Sequence, residues 1–477
     1  MQQICGYTFY SMITKPTNKW LVGLFILLIG FALYSSSLSN RHHKHTIEHY
    51  SHDVRDKWEA SPDKHPHRMA HYGYVAFRQK YPLSFFDNGM DSYLGNAVFL
   101  EAHRQNNVNF SQASLSNGLL RFGELSGGLI LQLLLPLLIF FWGFDLVAGE
   151  RETGTLKLLL TQEATWTDII LGKSLGLFLV SLTILLPSLL VSAVLLLTET
   201  LISGNCESLV ALGGLILSYL TYILIMSLLA VWISAISKSK KSALIKLIGF
   251  WLFFTLILPK IAQVAGQVIY PTPSKIAFET TVEEELVKQG DSHNPDDPHY
   301  KALKDSLLAA YNVTSPKELP FNYSGFIMKE GERLSTETYL RHQADLMNLY
   351  QKQSDLVNNT AIVNPYIAIK NISMVLSGTD FASYQAFNDY AETYRYNLAQ
   401  TMNNLQIEHI SNTTTTSADK GAVISQQYWK DFPDFEHEFL SFSEMSRNAS
   451  FSFLSLFIWL IAFLLMANFS TKRLKAI

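Results

Sequence analysis

Gly149-Glu150-Arg151-Glu152-Thr153-Gly154-Thr155-Leu156-Lys157-Leu158-Leu159-Leu160 interrupts a strongly apolar sequence. Residues 129–147 before it and 175–197 after it are predominantly hydrophobic. A charge-dense segment between two such runs lies at a membrane face and joins two spans. Gly149 and Gly154 permit tight backbone. Glu150 and Glu152 suit a helix N-terminus, where the dipole favours negative charge. Leu156, Leu159 and Leu160 then make an apolar stripe at helical spacing. A short helix of this kind lies in the interface or docks into a groove on a partner.

Working outward, the chain has 477 residues, 48% hydrophobic and only 16% charged, against about 25% charged in an average soluble protein. Six runs qualify as spans: 20–38, 129–147, 175–197, 209–236, 243–258 (extending toward 264) and 451–469. Trp20 and Tyr34 are placed as interface anchors. No cleavage pattern precedes the first run, so it is expected to stay as an anchor. Pro136 and Pro187 fall inside spans and are expected to kink them. The formal charge of −3 implies no nucleic-acid partner.

Orientation follows from the basic residues near span ends. With the N-terminus inside, the inner segments hold Lys15 and Lys19; Arg151, Lys157 and Lys173; Lys238, Lys240, Lys241 and Lys246; and Lys472, Arg473 and Lys475. The short outer loop 198–208 holds none. The positive-inside rule then makes both termini cytoplasmic, in a multi-pass protein of the plasma (inner) membrane. Cys5 and Cys206 fall on opposite faces.

The expected fold is an all-α membrane protein with six transmembrane helices and a mostly α-helical extracytoplasmic domain built from two insertions. Its parts are 1–39 (N-terminal segment and first span), 40–124 (first insertion), 125–265 (spans two to five, with a cytoplasmic loop at 148–168), 266–448 (second insertion) and 449–477 (last span and tail). Within the second insertion, helical patterns cover 281–289, 300–311, 331–356 and 382–405. Pro295, Pro298, Pro316, Pro320 and Pro365 separate them, and the Thr-rich stretch 411–419 reads as a loop.

Eight of the fourteen histidines fall within residues 42–71. His45-Thr46-Ile47-Glu48-His49 matches an inverted zinc-protease pattern, which on a helix would put both histidines on one face. His65, His67 and His71 are the stronger metal candidates, because imidazoles at this spacing converge and suit zinc or copper. Their alternative role is to hydrogen-bond and pack the base of the domain. Glu392 and Arg395, at i and i+3, read as a helix pair of a few tenths of a kcal/mol. Gly172-Lys173-Ser174 looks like the tail of a phosphate loop, but position 167 is Thr where that motif needs Gly. No catalytic residue is assigned, and ATP chemistry is expected on another chain.

The run Phe144-Asp145-Leu146-Val147-Ala148-Gly149-Glu150-Arg151-Glu152-Thr153-Gly154-Thr155-Leu156, with Ile169-Ile170-Leu171-Gly172-Lys173 after it, resembles the cytoplasmic loop of type-2 ABC exporter permeases. That resemblance implies that Glu150, Arg151, Glu152, Gly154, Thr155 and Leu156 belong to a coupling helix docking on a separate ABC ATPase subunit, which would bind the ATP. It also implies a second permease copy or paralogue. Further stretches resemble a branch with large extracytoplasmic insertions, related to multicopper-enzyme-maturation permeases. They are His65-Pro66-His67-Arg68-Met69-Ala70-His71-Tyr72-Gly73, Leu319-Pro320-Phe321-Asn322-Tyr323-Ser324-Gly325, Ser377-Gly378-Thr379-Asp380 and Ala391-Glu392-Thr393-Tyr394-Arg395. The N-terminal segment is short for the family's amphipathic elbow helix. The spans show no mid-membrane acidic residue, which argues against an ion-driven carrier. Two other readings stay open: a membrane-anchored metal-dependent hydrolase using the histidine tract, and a sensor or scaffold whose outer domain binds a ligand.

Overall fold

Six helices are long and apolar enough to cross a membrane: Pro16–Glu59, Gly127–Thr153, Trp166–Thr198, Glu207–Ile236, Lys240–Ile269 and Phe442–Ala467. They make this an all-α, multi-pass membrane protein. The computed structural model describes residues 1–106, 108–109, 111, 125–203, 206–290, 294, 296–412 and 422–469. Among these, the one sheet is a two-stranded antiparallel pair, Tyr74–Phe77 with Ala97–Leu100. Of the Thr-rich stretch 411–419 only Ser411 and Asn412 are described, and Lys472, Arg473 and Lys475 lie outside the described residues.

The first span does not end where its hydropathy ends. Pro16–Glu59 is one helix of 44 residues, about 66 Å long, roughly twice the thickness of a hydrocarbon core. Nothing between Gly30 and Ser61 breaks a helix, so the histidine-bearing half continues as a stalk past the expected boundary at residue 40. Its tip is anchored by Trp58, fully buried, whose indole N–H donates to the Trp429 carbonyl at 2.7 Å.

Prolines shape the second and fifth spans. A π-helical turn, Ile130–Leu134, precedes Pro136, and another, Phe253–Ile257, precedes Pro259. Proline supplies no N–H to the carbonyl four residues back, and a widened turn absorbs the mismatch. The Gln132 carbonyl that Pro136 leaves open accepts instead from the Tyr222 hydroxyl at 3.0 Å, and the Leu133 carbonyl accepts from the Trp251 indole at 2.9 Å. The neighbouring helices thus satisfy the freed backbone. Pro187 stays inside a continuous helix.

The short N-terminal segment is itself helical. Gln2–Ile13 is a helix packed along the third span. Its Ile4, Cys5 and Thr8 lie against Gly172 and Gly176, where an added Cβ would sit 2.7–3.0 Å from their atoms. Asn18 fixes the corner after it, donating to the Met12 carbonyl and accepting from the Trp142 indole.

Opposite the end that carries the 149–160 stretch (the motif end), the two insertions build one domain. Trp58, Met69 and Tyr74 from the first share a core with Leu398, Met402 and Trp429 from the second. Val98 and Leu100 pack on Phe387 and Ala391. The helical patterns read in the sequence lie within Lys275–Gln289, Pro298–Tyr311, Tyr323–Asn359 and Phe381–His409. Another helix, Pro365–Leu376, starts at what read as a breaker. Its Ile367, Ile369, Ile372 and Leu376 are buried against the fourth and sixth spans.

Asp87 of the first insertion, which belongs to none of the spans, reaches the same place. Its carboxylate accepts from Gln132 of the second span at 2.8 Å and from Ser373 at 2.5 Å. Gln132 also donates to the Tyr219 hydroxyl of the fourth span. The acid comes from a loop, so span-by-span reading could not find it.

Candidate functional site

At the motif end, the 149–160 stretch is two short helices. Ala148–Thr153 and Thr155–Thr161 meet at Gly154, whose φ of 82° and ψ of −6° are left-handed. This corrects the single-helix reading. A Cβ at Gly154 would meet nothing within 4 Å in this chain, so within the chain it is the left-handed conformation that calls for glycine. Gly149 is the crowded position, against Asp145 and Lys240.

Glu150, Arg151 and Glu152 each bond to a neighbouring span. The Glu150 carboxylate sits 2.6 Å from the Lys173 ammonium, which also donates to the Leu146 carbonyl at 2.9 Å. Lys173 is 5% exposed. Arg151 donates to the carbonyls of Ala235 and Ser237, where the fourth span ends. Glu152 accepts the backbone N–H of Lys240, where the fifth span begins, at 2.9 Å. A cation therefore meets the negative end of one helix and an anion the positive end of the next, across one tight turn. Ser234 completes the clamp: it accepts from the N–H groups of Val147 and Ala148 and donates to the Phe144 carbonyl.

These contacts leave Gly172 and Lys173 inside a helix, one under the N-terminal helix and the other paired with Glu150. The apolar stripe also turns inward. Leu156 is fully buried, and Leu159 and Leu160 pack half-buried on the same core. The exposed residues of Thr155–Thr161 are Thr155, Lys157, Leu158 and Thr161, with Leu158 64% exposed. Thr155 bonds the Thr153 hydroxyl at 2.9 Å.

At the domain end, a histidine cluster forms, but not from the expected three. His65 caps the helix Pro66–Tyr72: its Nδ1 accepts the His67 N–H at 3.1 Å, and its ring is buried. Burial, helped by Arg68, pushes its pKa down. His67 and His71, one helical turn apart, bring their Nε2 atoms to 3.2 Å. The third member is His103, which sequence spacing could not nominate. It follows the second strand in a left-handed conformation, φ 62°. The three offer ligand atoms within 4.8 Å of one another. His45, Glu48 and His49 are exposed on the stalk helix and belong to no such group among the described residues.

Behind His103 lies a buried ion network. Glu332, fully buried, accepts from the His103 backbone N–H at 2.8 Å and lies 2.9 Å from its Nδ1. The other carboxylate oxygen pairs with Arg395 at 2.6 Å. Arg395, 1% exposed, also grips Glu392 through two nitrogens, each at 2.8 Å. Burial alone would raise the Glu332 carboxyl; His103 and Arg395 hold it down at about 2. For Glu392 burial prevails, and its pKa is raised despite Arg395. The Glu392–Arg395 pair is therefore part of a desolvated triad, not the surface pair its spacing indicated.

Residues 275–438 match the family model described as Domain of unknown function (DUF3526). No curated protein matches the chain. The matched region supplies Glu332, Glu392 and Arg395, while the histidines and the motif-end clamp lie outside it.

Proposed function

We propose that this chain is the permease subunit of an ATP-driven ABC exporter. The observation that supports the reading most is the motif-end clamp. The helix pair Ala148–Thr161 is tied by Glu150, Arg151 and Glu152 to the third, fourth and fifth spans, and it carries one exposed leucine on its outward face. A load on Leu158 would therefore reach three spans through charge-assisted bonds. In this reading the motif end is cytoplasmic, the protein lies in the plasma (inner) membrane, and the two insertions form an extracytoplasmic domain that receives or hands over substrate. ATP binds on a partner ATPase subunit, and a second permease copy or paralogue completes the transporter.

The clamp also assigns roles within the motif. Glu150, Arg151 and Glu152 transmit; Leu158, flanked by Thr155 and Thr161, makes the contact. The test is co-purification of the ATPase subunit with the permease carrying Leu158→Asp. Loss of the ATPase with an intact, membrane-inserted permease is the expected result. Full retention, with normal ATP turnover, would reduce the loop to a connector.

A further inference from the structure

The histidine cluster has the geometry of a metal site. Two ring nitrogens bound to one tetrahedral zinc at about 2.0–2.1 Å stand about 3.3 Å apart. The Nε2 atoms of His67 and His71 are 3.2 Å apart before any ion is considered. Their rings lie nearly perpendicular, with centroids 4.6 Å apart. The His103 ring completes the triangle, at 5.5 Å from His67 and 5.4 Å from His71.

The surroundings of His103 decide how it would bind. A carboxylate accepts but cannot donate, so Glu332 draws the ring proton to Nδ1 and leaves the Nε2 lone pair for a ligand. Such an outer carboxylate fixes the tautomer and orientation of a metal-bound histidine. Glu332 is itself held by Arg395 and accepts from Thr336 at 3.2 Å, so the ring stands on a rigid base. His103 takes a left-handed backbone, φ 62°, at this position. Surface histidines need none of this.

We propose that His67, His71 and His103 bind one zinc ion, with Glu332 orienting His103. The donor set is three neutral imidazoles, which suits a borderline divalent ion. His67 and His103 are half-buried and His71 is exposed, so the fourth position faces the solvent and holds exchangeable water. The ion enters from the medium around the domain. The ligands come from the first insertion and their support from the second, so the site forms only when the two insertions are docked. None of this depends on the exporter reading.

The experiment uses the full chain in detergent, stripped with chelator and dialysed against Zn²⁺, with metal counted by mass spectrometry. One zinc per chain is expected. His103→Ala and His71→Ala should each weaken binding at least tenfold, with unchanged helical content by circular dichroism. His65→Ser, which keeps a capping oxygen at the helix start, should retain full zinc. Co²⁺ in place of zinc should give the intense visible bands of a tetrahedral site, and His103→Ala should abolish them. No zinc in the folded wild type overturns the proposal, as does uptake of Cu²⁺ alone. Full binding by His103→Ala alongside loss in His65→Ser overturns the ligand set.

Discussion

Glu150 and Lys173 form an ion pair, 2.6 Å apart, that ties the short helix closing the second span to the start of the third. Lys173 is almost fully covered, and Gly172 beside it gives the N-terminal helix room to lie on the third span. The pairing lies within the chain, so reversing Glu150 would damage the protein itself as well as any partner surface.

Replacing Glu150 by Gln should leave the Lys173 ammonium covered without its counter-charge. Breaking one side of a buried pair costs roughly 3–5 kcal/mol. Thermal unfolding in detergent should therefore shift down for Glu150→Gln. The double replacement Glu150→Gln with Lys173→Met should recover most of the loss, because no charge is then stranded. A double variant no more stable than the single one would show that the pair is not the source.

Gly154 gives a sharper contrast. Its surroundings are open, so size should matter little and backbone hand should matter most. Gly154→Ala should cost about 1–2 kcal/mol through the left-handed φ, whereas Gly154→Asn should lose less, since Asn tolerates that region. Equal losses for the two, measured by thermal melting, would contradict the conformational explanation.

Arg395 supports two buried carboxylates. Arg395→Met should destabilise the domain by roughly 3–5 kcal/mol, because Glu332 and Glu392 are left desolvated. Arg395→Lys should not rescue it: one ammonium cannot reproduce the forked contact with Glu392 while reaching Glu332. Limited proteolysis of the full chain should show the domain cut earlier in both variants. A lysine variant as resistant as the wild type would return this residue to a simple point-charge role.

How much of this was legible can be argued residue by residue. The six spans were legible because a long apolar run with at most one charge has few other uses. The continuation of the first helix to Glu59 was not, because hydropathy marks where a membrane ends and not where a helix ends. Pro365 read as a stop, yet proline is equally suited to the first turn of a helix. The motif residues stood out, but their partners Ala235, Ser237 and Lys240 lie more than 80 positions away. Of the three histidines read in the tract, His67 and His71 come together while His65 serves as a cap, and the third ring of the cluster, His103, is brought in by a strand that spacing could not point to. Glu332 and Arg395 meet only through the packing of two long helices.

The native cysteines test the proposed orientation. Cys206 is exposed beside the fourth span at the domain end, and Cys5 is half-buried at the motif end, its thiol pushed up by burial. A membrane-impermeant maleimide applied to sealed cells should label Cys206. In a Cys5→Ser, Cys206→Ser background, Lys238→Cys at the exposed motif-end turn should label only after lysis. Labelling of Lys238→Cys in sealed cells would invert the topology and with it the exporter reading.

The last contrast separates holding the loop from using it. Leu156 and Leu158 sit two residues apart on the same short helix, one fully buried and the other 64% exposed. Leu156 packs with Leu159 and Leu160 on the bundle core, so Leu156→Ala removes buried apolar volume and should cost about 2–5 kcal/mol. Leu158→Ala removes a side chain that touches mainly solvent, so the isolated protein should melt as before, within about 0.5 kcal/mol. If an ATPase groove receives this helix, the order reverses for binding. A desolvated leucine at the centre of an interface contributes far more than its neighbours on the rim. Leu158→Ala should then weaken ATPase association about tenfold or more in a pull-down titration and uncouple ATP hydrolysis from substrate. Leu156→Ala should lower stability first and association only as the loop loosens. Equal binding by Leu158→Ala and wild type would remove the outward leucine as the contact point and leave the clamp with no load to carry.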